Sequence, residues 1–131
     1  MPQELTIAAC GAVLLMVHIG LAGQLRTKQY GTTWNTGARD DAMPPLNPVA
    51  GRAVRAQANF QETFPIAVVA LLGVVLARRT DLWTAAGGWL WLGARVVYLP
   101  LYLSGMPIIR SLVFLISLIG LALVLWPLLF G

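Results

Sequence analysis

Charge is scarce in this chain. Only 11% of its 131 residues are charged, against roughly 25% in soluble domains, and mean hydropathy is +0.75. That balance argues against a water-soluble fold and for a membrane protein. Histidine and cysteine are scarcer still, one of each, His18 and Cys10. With no CxxC, no HExxH and no His/Cys grouping, the chain offers neither a protein-bound metal site nor a histidine-based catalytic centre. A lone cysteine forms no internal disulfide. Acidic residues number 5 against 9 basic ones, a net charge of +4. The basic residues form no tract, so nucleic acid is not the partner. A dispersed positive excess on an apolar chain instead points to membrane topology and to anionic ligands. Internal repeats and low-complexity tracts are absent too, and the length suits one domain over residues 1–131.

What is present is a series of apolar runs. Leu5 to Leu25 is long enough to cross a hydrocarbon core, about 31 Å as helix. It exceeds a signal-peptide core and follows Glu4 rather than a basic region, so it reads as a mature transmembrane helix. His18 inside it reads as a packed residue bonded to a neighbouring helix, and Gly11, Gly20 and Gly23 as close helix contacts. A polar, Pro-rich connection, 26–47, follows. Asn47-Pro48 is a good helix start, Asn as cap and Pro in the first position, and the second span covers 52–77 with Pro65 inside it. A short turn, 78–81, leads to the third span, 82–102. Its Trp83 at one end and Tyr98 and Tyr102 at the other suit membrane interfaces, and Gly87-Gly88 permits close packing. The fourth span covers 108–130. The expected fold is all-α, an integral membrane four-helix bundle.

Within these spans the polar residues are patterned. In Arg52-Ala-Val-Arg-Ala-Gln-Ala-Asn-Phe-Gln-Glu-Thr-Phe-Pro65, Arg55, Asn59 and Glu62 fall at i, i+4 and i+7 and share one helix face. Arg95, Tyr98 and Tyr102 share a face of the third span in the same way. Spans alternate direction, so the first and third loops lie on one side of the membrane. They hold Arg26, Lys28, Arg39, Arg52, Arg55 and Arg110, which the positive-inside rule assigns to the cytoplasm, with both termini opposite. Arg26, the two polar faces and Arg110 then collect at one membrane surface, cations in excess around the single carboxylate of Glu62. Two readings are open. Arginines snorkel and tyrosines anchor at any interface. Alternatively, the cluster is a pocket for a ligand with two or more carboxylates and one ammonium, arginines holding the former and Glu62 the latter. A cation beside a bound thiol would also favour its reactive thiolate.

The segments Arg-Ala-Gln-Ala-Asn-Phe-Gln-Glu-Thr-Phe-Pro (55–65), Ala-Arg-Val-Val-Tyr-Leu-Pro-Leu-Tyr (94–102) and Pro-Ile-Ile-Arg-Ser (107–111), in that order on successive spans, resemble the MAPEG family, membrane-associated proteins in eicosanoid and glutathione metabolism. The likeness is to a bacterial-type member similar to microsomal glutathione transferases, and in span count and order it covers the whole chain. It implies a homotrimer with glutathione, the co-substrate, bound between subunits at sites open to the cytoplasm. By matching positions, Arg55, Gln57, Asn59 and Glu62 look like glutathione ligands, Tyr98 and Tyr102 like ligands supplied by an adjacent protomer, and Arg26 like the family's basic residue at the end of the first helix. Arg110 looks like the residue that stabilises the glutathione thiolate, with Ser111 beside it, and Arg95 like a packing and pairing residue. Thr63 stands where some members have a tyrosine.

The reading that follows is a glutathione-dependent membrane enzyme, its thiolate attacking a lipophilic electrophile from the bilayer by conjugation, hydroperoxide reduction or both. No metal is expected, and membrane lipids surround the assembly. The alternatives are a small proton-coupled transporter with Glu62 as coupling carboxylate, and a catalytically silent scaffold.

Overall fold

Asn47 Oδ1 accepts the Ala50 amide at 2.9 Å, and Pro48, with no N–H to lose, takes the first helical position. In the computed structural model, which describes residues 1–131, the helix so started is one of five. In chain order they are α1 (Gln3–Tyr30), α2 (Thr32–Thr36), α3 (Pro48–Leu76), α4 (Leu82–Leu103) and α5 (Pro107–Phe130). Four of them are long and pack on one another; α2 is a single short turn beside the end of α1. Pro65 and Pro100 lie within continuous helices. Asp81 caps α4 reciprocally with Thr84, each side chain taking the other's backbone amide at 2.8 Å.

The polar connection expected over 26–47 is more ordered than its composition suggests. Helix α1 continues to Tyr30, and its last turn straps the returning chain. Gln29 accepts from the Asn47 amide at 2.7 Å and donates to the Pro45 carbonyl at 3.0 Å, while the Tyr30 hydroxyl donates to the Pro44 carbonyl. Trp34 on α2 lies edge-on to Tyr30 and beneath the Arg39 guanidinium, 4.3 Å from its ring centre.

Three polar links fix the helix directions. Thr84, at the start of α4, donates to buried Glu4 at the start of α1, 2.9 Å away. Arg52, near the start of α3, donates to the Leu103 carbonyl at the end of α4, 2.8 Å. Arg79, just past α3, donates to the Pro127 and Leu128 carbonyls at the end of α5, where a cation complements the helix dipole. Helices α1 and α4 therefore start at one end of the molecule, and α3 and α5 at the other. The α1–α3 and α4–α5 connections share an end, as alternating spans require.

Glycine sets how closely the helices approach. A Cβ on Gly87 would lie 2.6 Å from the Gly120 carbonyl oxygen, and one on Gly120 would lie 2.7 Å from the Trp91 nitrogen. Backbone therefore meets backbone where α4 crosses α5. Gly88 clears Ile7 and Leu71, and Gly11 clears the Phe64 and Trp91 rings. Gly20 and Gly23, expected to do the same, face open space within the protomer. The glycines admit an aromatic core of Phe60, Phe64 and Trp91, the Phe64 and Trp91 rings lying 12° from parallel. His18 is buried and stacks on Phe60 at 4.7 Å. Its ring nitrogen bonds the Leu14 carbonyl of its own helix at 2.8 Å, not a neighbouring helix as expected, because Leu14 lies one turn below it.

Val13, Met16, Val69, Leu115 and Ile119 are exposed on the outer faces, as lipid contact demands. Helices α1, α3 and α5 are long and apolar enough to cross a membrane. Helix α4, the expected third span, falls short because Arg95, tyrosines, tryptophans and glycines dilute its apolar content, and many of these are buried against the other helices. Gly120→Leu should cost ~3 kcal/mol or abolish the fold, since the opposing atoms are backbone and have nowhere to go. Gly23→Ala should not lower the midpoint. Thermal unfolding of both variants in detergent checks the contrast.

Candidate functional site

At the end shared by the starts of α3 and α5, two adjoining hollows open. The first, about 380 Å³, is a groove lined by Asn59, Tyr98, Tyr102, Arg110, Ser111, Phe114 and Leu115. The second, about 180 Å³, is lined by Arg52, Arg55, Tyr102, Gly105, Pro107 and Arg110. Tyr102 and Arg110 belong to both, so together they form one cleft with a cationic chamber and an amphipathic one. A larger hollow at the opposite end, about 580 Å³, is lined by Glu4 and Asp81 and has no cation except the chain terminus. Chemistry rather than volume marks the cleft.

Each side chain is placed by its helix position. Arg110, in the first turn of α5, holds its guanidinium 4.7 Å from the centre of the Tyr102 ring. A π face attracts the cation without consuming N–H donors in the ring plane, so Arg110 remains able to bind an anion. Tyr102 meets Tyr98 edge to face at 5.6 Å, and Tyr98 leans on Phe114 at 5.9 Å. Ser111 donates to the Pro107 carbonyl at 3.0 Å, which leaves its oxygen as an acceptor. Asn59 Oδ1 accepts from Arg95 Nη1 at 2.8 Å. Thr63 turns its hydroxyl back onto the Asn59 and Phe60 carbonyls and presents no free donor.

The sequence-expected residues divide into those the fold gathers and those it leaves apart. Arg55, Asn59, Tyr98, Tyr102, Arg110 and Ser111 line the cleft within one protomer. Glu62 is exposed on the α3 face that carries Arg55, one turn beyond Asn59, and lines neither hollow. Gln57 lies about 200° around α3 from Arg55, half-buried and away from the cleft. Arg26 bonds the Ala22 carbonyl of its own helix at 3.4 Å and lies 6.0 Å from the Trp34 ring centre, also apart.

Arg52, Phe114 and Leu115 are cleft residues that sequence reasoning did not single out. Arg52 precedes Arg55 by three positions and so shares its face, a signal that was available. Phe114 and Leu115 sit one turn past Arg110, but nothing distinguishes them from the other apolar residues of α5. Arg52 also shapes the cleft. Its bond to the Leu103 carbonyl fixes the end of α4, and its guanidinium packs where a Cβ on Gly105 would come within 3.2 Å. Gly105 has φ +79°, a conformation that favours glycine.

This cleft belongs to a membrane protein that presents arginines and tyrosines from three helices at one end. The MAPEG family model matches residues 5–130, and the chain belongs to that family, which includes glutathione-dependent enzymes. It is an integral membrane protein. No curated protein and no solved structure matches it. Arg52→Ala should release the α4–α5 turn: amide hydrogen exchange at 104–106 rises at least tenfold while the cores of α3 and α4 keep their protection, because the turn loses its only side-chain tie to α3.

Proposed function

We propose that the protein is a glutathione-dependent membrane enzyme, working as a homotrimer of single-domain four-helix protomers, with the cleft facing the cytoplasm and both termini opposite. One observation carries the reading. Arg110 stands where the cationic and amphipathic chambers meet, its charge held by a ring rather than by a carboxylate. Glutathione has two carboxylates, an ammonium and a thiol. Arg52 and Arg55 suit a carboxylate in the cationic chamber through paired hydrogen bonds. Glu62, exposed on the same α3 face two turns from Arg55, suits the ammonium. The thiol then falls near Arg110, where the guanidinium favours the thiolate.

Phe114 and Leu115 form the apolar side of the groove and offer a lipophilic electrophile a place beside the sulfur. In conjugation, the thiolate lone pair forms a C–S bond as the electrophile's leaving group departs or its ring opens, and the new anion takes a proton from solvent. The same thiolate can attack the terminal oxygen of a hydroperoxide, expelling an alkoxide that takes a proton to become the alcohol, and the thiol of a second glutathione then displaces water from the resulting sulfenic acid to form the disulfide. Gln57 and Arg26, turned away from this cleft, take part only if they reach the cleft of a neighbouring protomer. Proton-coupled transport is disfavoured because the cleft is lined by Arg52, Arg55 and Arg110 and by no carboxylate, whereas a coupling acid lines the transport path.

Titrating the detergent-solubilised protein with glutathione should give calorimetric binding and a rise in thiolate absorbance near neutral pH. Arg110→Ala should keep affinity within about threefold while losing the thiolate signal, and Glu62→Gln should weaken binding about tenfold, ~1.4 kcal/mol. No binding at millimolar glutathione, or an unchanged thiolate in Arg110→Ala, would sink the reading.

A further inference from the structure

Arg95 stands behind the groove without lining it. The residue is 0% exposed, yet its Nη1 donates to Asn59 at 2.8 Å and its Cζ lies 4.3 Å from the centre of the Tyr98 ring. Both partners line the groove. Phe60 and Phe114 enclose the guanidinium, their ring centres 5.2 and 5.7 Å away. Nε and Nη2 are buried and have no hydrogen-bond partner. Such a placement is costly. A buried cation with unmet donors is poor packing material, and an apolar side chain of similar volume often raises stability in its place. Helix packing alone is therefore a weak reason for an arginine here.

The contacts suggest a different role. Arginine only donates hydrogen bonds, so the Asn59 atom it meets must be the oxygen, and this fixes which way the amide is turned. With Oδ1 engaged inward, the Asn59 NH₂ is left for the groove, able to donate and unable to accept. Behind it sits a positive charge whose near neighbours are an amide and aromatic rings.

We propose that Arg95 is a positioning residue: it locks Asn59 as a hydrogen-bond donor and sets a fixed positive charge behind the groove, so that the group bound at Asn59 is an anionic or carbonyl acceptor. The inference rests on the glutathione reading of the cleft, and it assigns the Asn59 subsite to a carboxylate or peptide carbonyl of that ligand rather than to its ammonium.

The test uses the full-length protein in detergent with Arg95→Met, Arg95→Lys, Asn59→Ala and the Arg95→Met/Asn59→Ala double variant. Arg95→Met should leave the thermal midpoint unchanged or higher while raising the glutathione Kd at least tenfold. Arg95→Lys keeps the charge without the planar fork and should fall between Met and the parent. The double variant should bind no worse than about the weaker single one, since both remove the same interaction. A Met variant that fails to fold or melts earlier, an unchanged Kd, or additive losses in the double variant each overturn the proposal in favour of a structural Arg95. A ligand-free readout separates this from failure of the glutathione reading. The Asn59 side-chain amide resonances, identified by their loss in Asn59→Ala, should shift and broaden in Arg95→Met. If they do so while the parent binds no glutathione, the functional reading falls and the hold of Arg95 on Asn59 stands. If they do not move, the positioning role is wrong.

Discussion

A guanidinium inside a membrane-spanning bundle has to be enclosed by something, and the groups that enclose Arg95 include two that line the cleft, Asn59 and Tyr98. It bonds Asn59 on α3, faces Tyr98 on its own helix and is closed in by Phe60 of α3 and Phe114 of α5. One side chain thus meets groups from three helices just below the cleft. Lipid offers no hydrogen bonds, so intramembrane charge either pairs, faces a cavity or serves a ligand. Arg95 does the first in part and lies directly behind a cavity. The nearby tyrosines extend the same logic outward, Tyr98 to Tyr102 and Tyr102 to Arg110, as a run of aromatic and cationic contacts from the core to the rim.

The two ends of the molecule are chemically opposite. Where α1 and α4 begin, Glu4 is buried and accepts from Thr84, which shares a reciprocal cap with Asp81. These acidic groups have helix amides and a hydroxyl as partners and act as staples. Where α3 and α5 begin, Arg52, Arg55 and Arg110 surround an open hollow, and of the three only Arg52 spends a hydrogen bond on the protein, to the Leu103 carbonyl. A structural end satisfies its polar groups internally. The arginine end leaves donors free, which is what an anion-binding surface requires.

Much of this was legible in the sequence, and the reasons differ by feature. The Asn47-Pro48 start was readable because it depends on residues adjacent in sequence, and the Gly87-Gly88 pair was readable as permitting close packing, though not which helices it brings together. The gathering of Arg55, Asn59, Tyr98, Tyr102 and Arg110 at one end followed from helical periodicity and alternating span direction. What escaped depends on pairings between distant segments. Gly20 and Gly23 look like Gly11 in sequence, yet only Gly11 faces aromatic rings within the protomer. The 26–47 connection reads as loop, but Gln29 and Tyr30 tie it down through contacts with 44–47 that composition does not encode. Arg95 was readable as a packing arginine; its grip on Asn59, and hence the direction of that amide, needed the tertiary structure. Likewise Phe114 and Leu115 gained meaning only once α5 was set beside α4.

Where a bound tripeptide lies decides what the cleft does. A structure of the assembled protein in lipid with glutathione measures that directly. The prediction is density in the cleft with a carboxylate at Arg52 and Arg55, the sulfur nearest Arg110, and an oxygen acceptor facing the Asn59 amide. Glutathione density elsewhere, with Arg55 and Glu62 against acyl chains and the cleft empty, would contradict it.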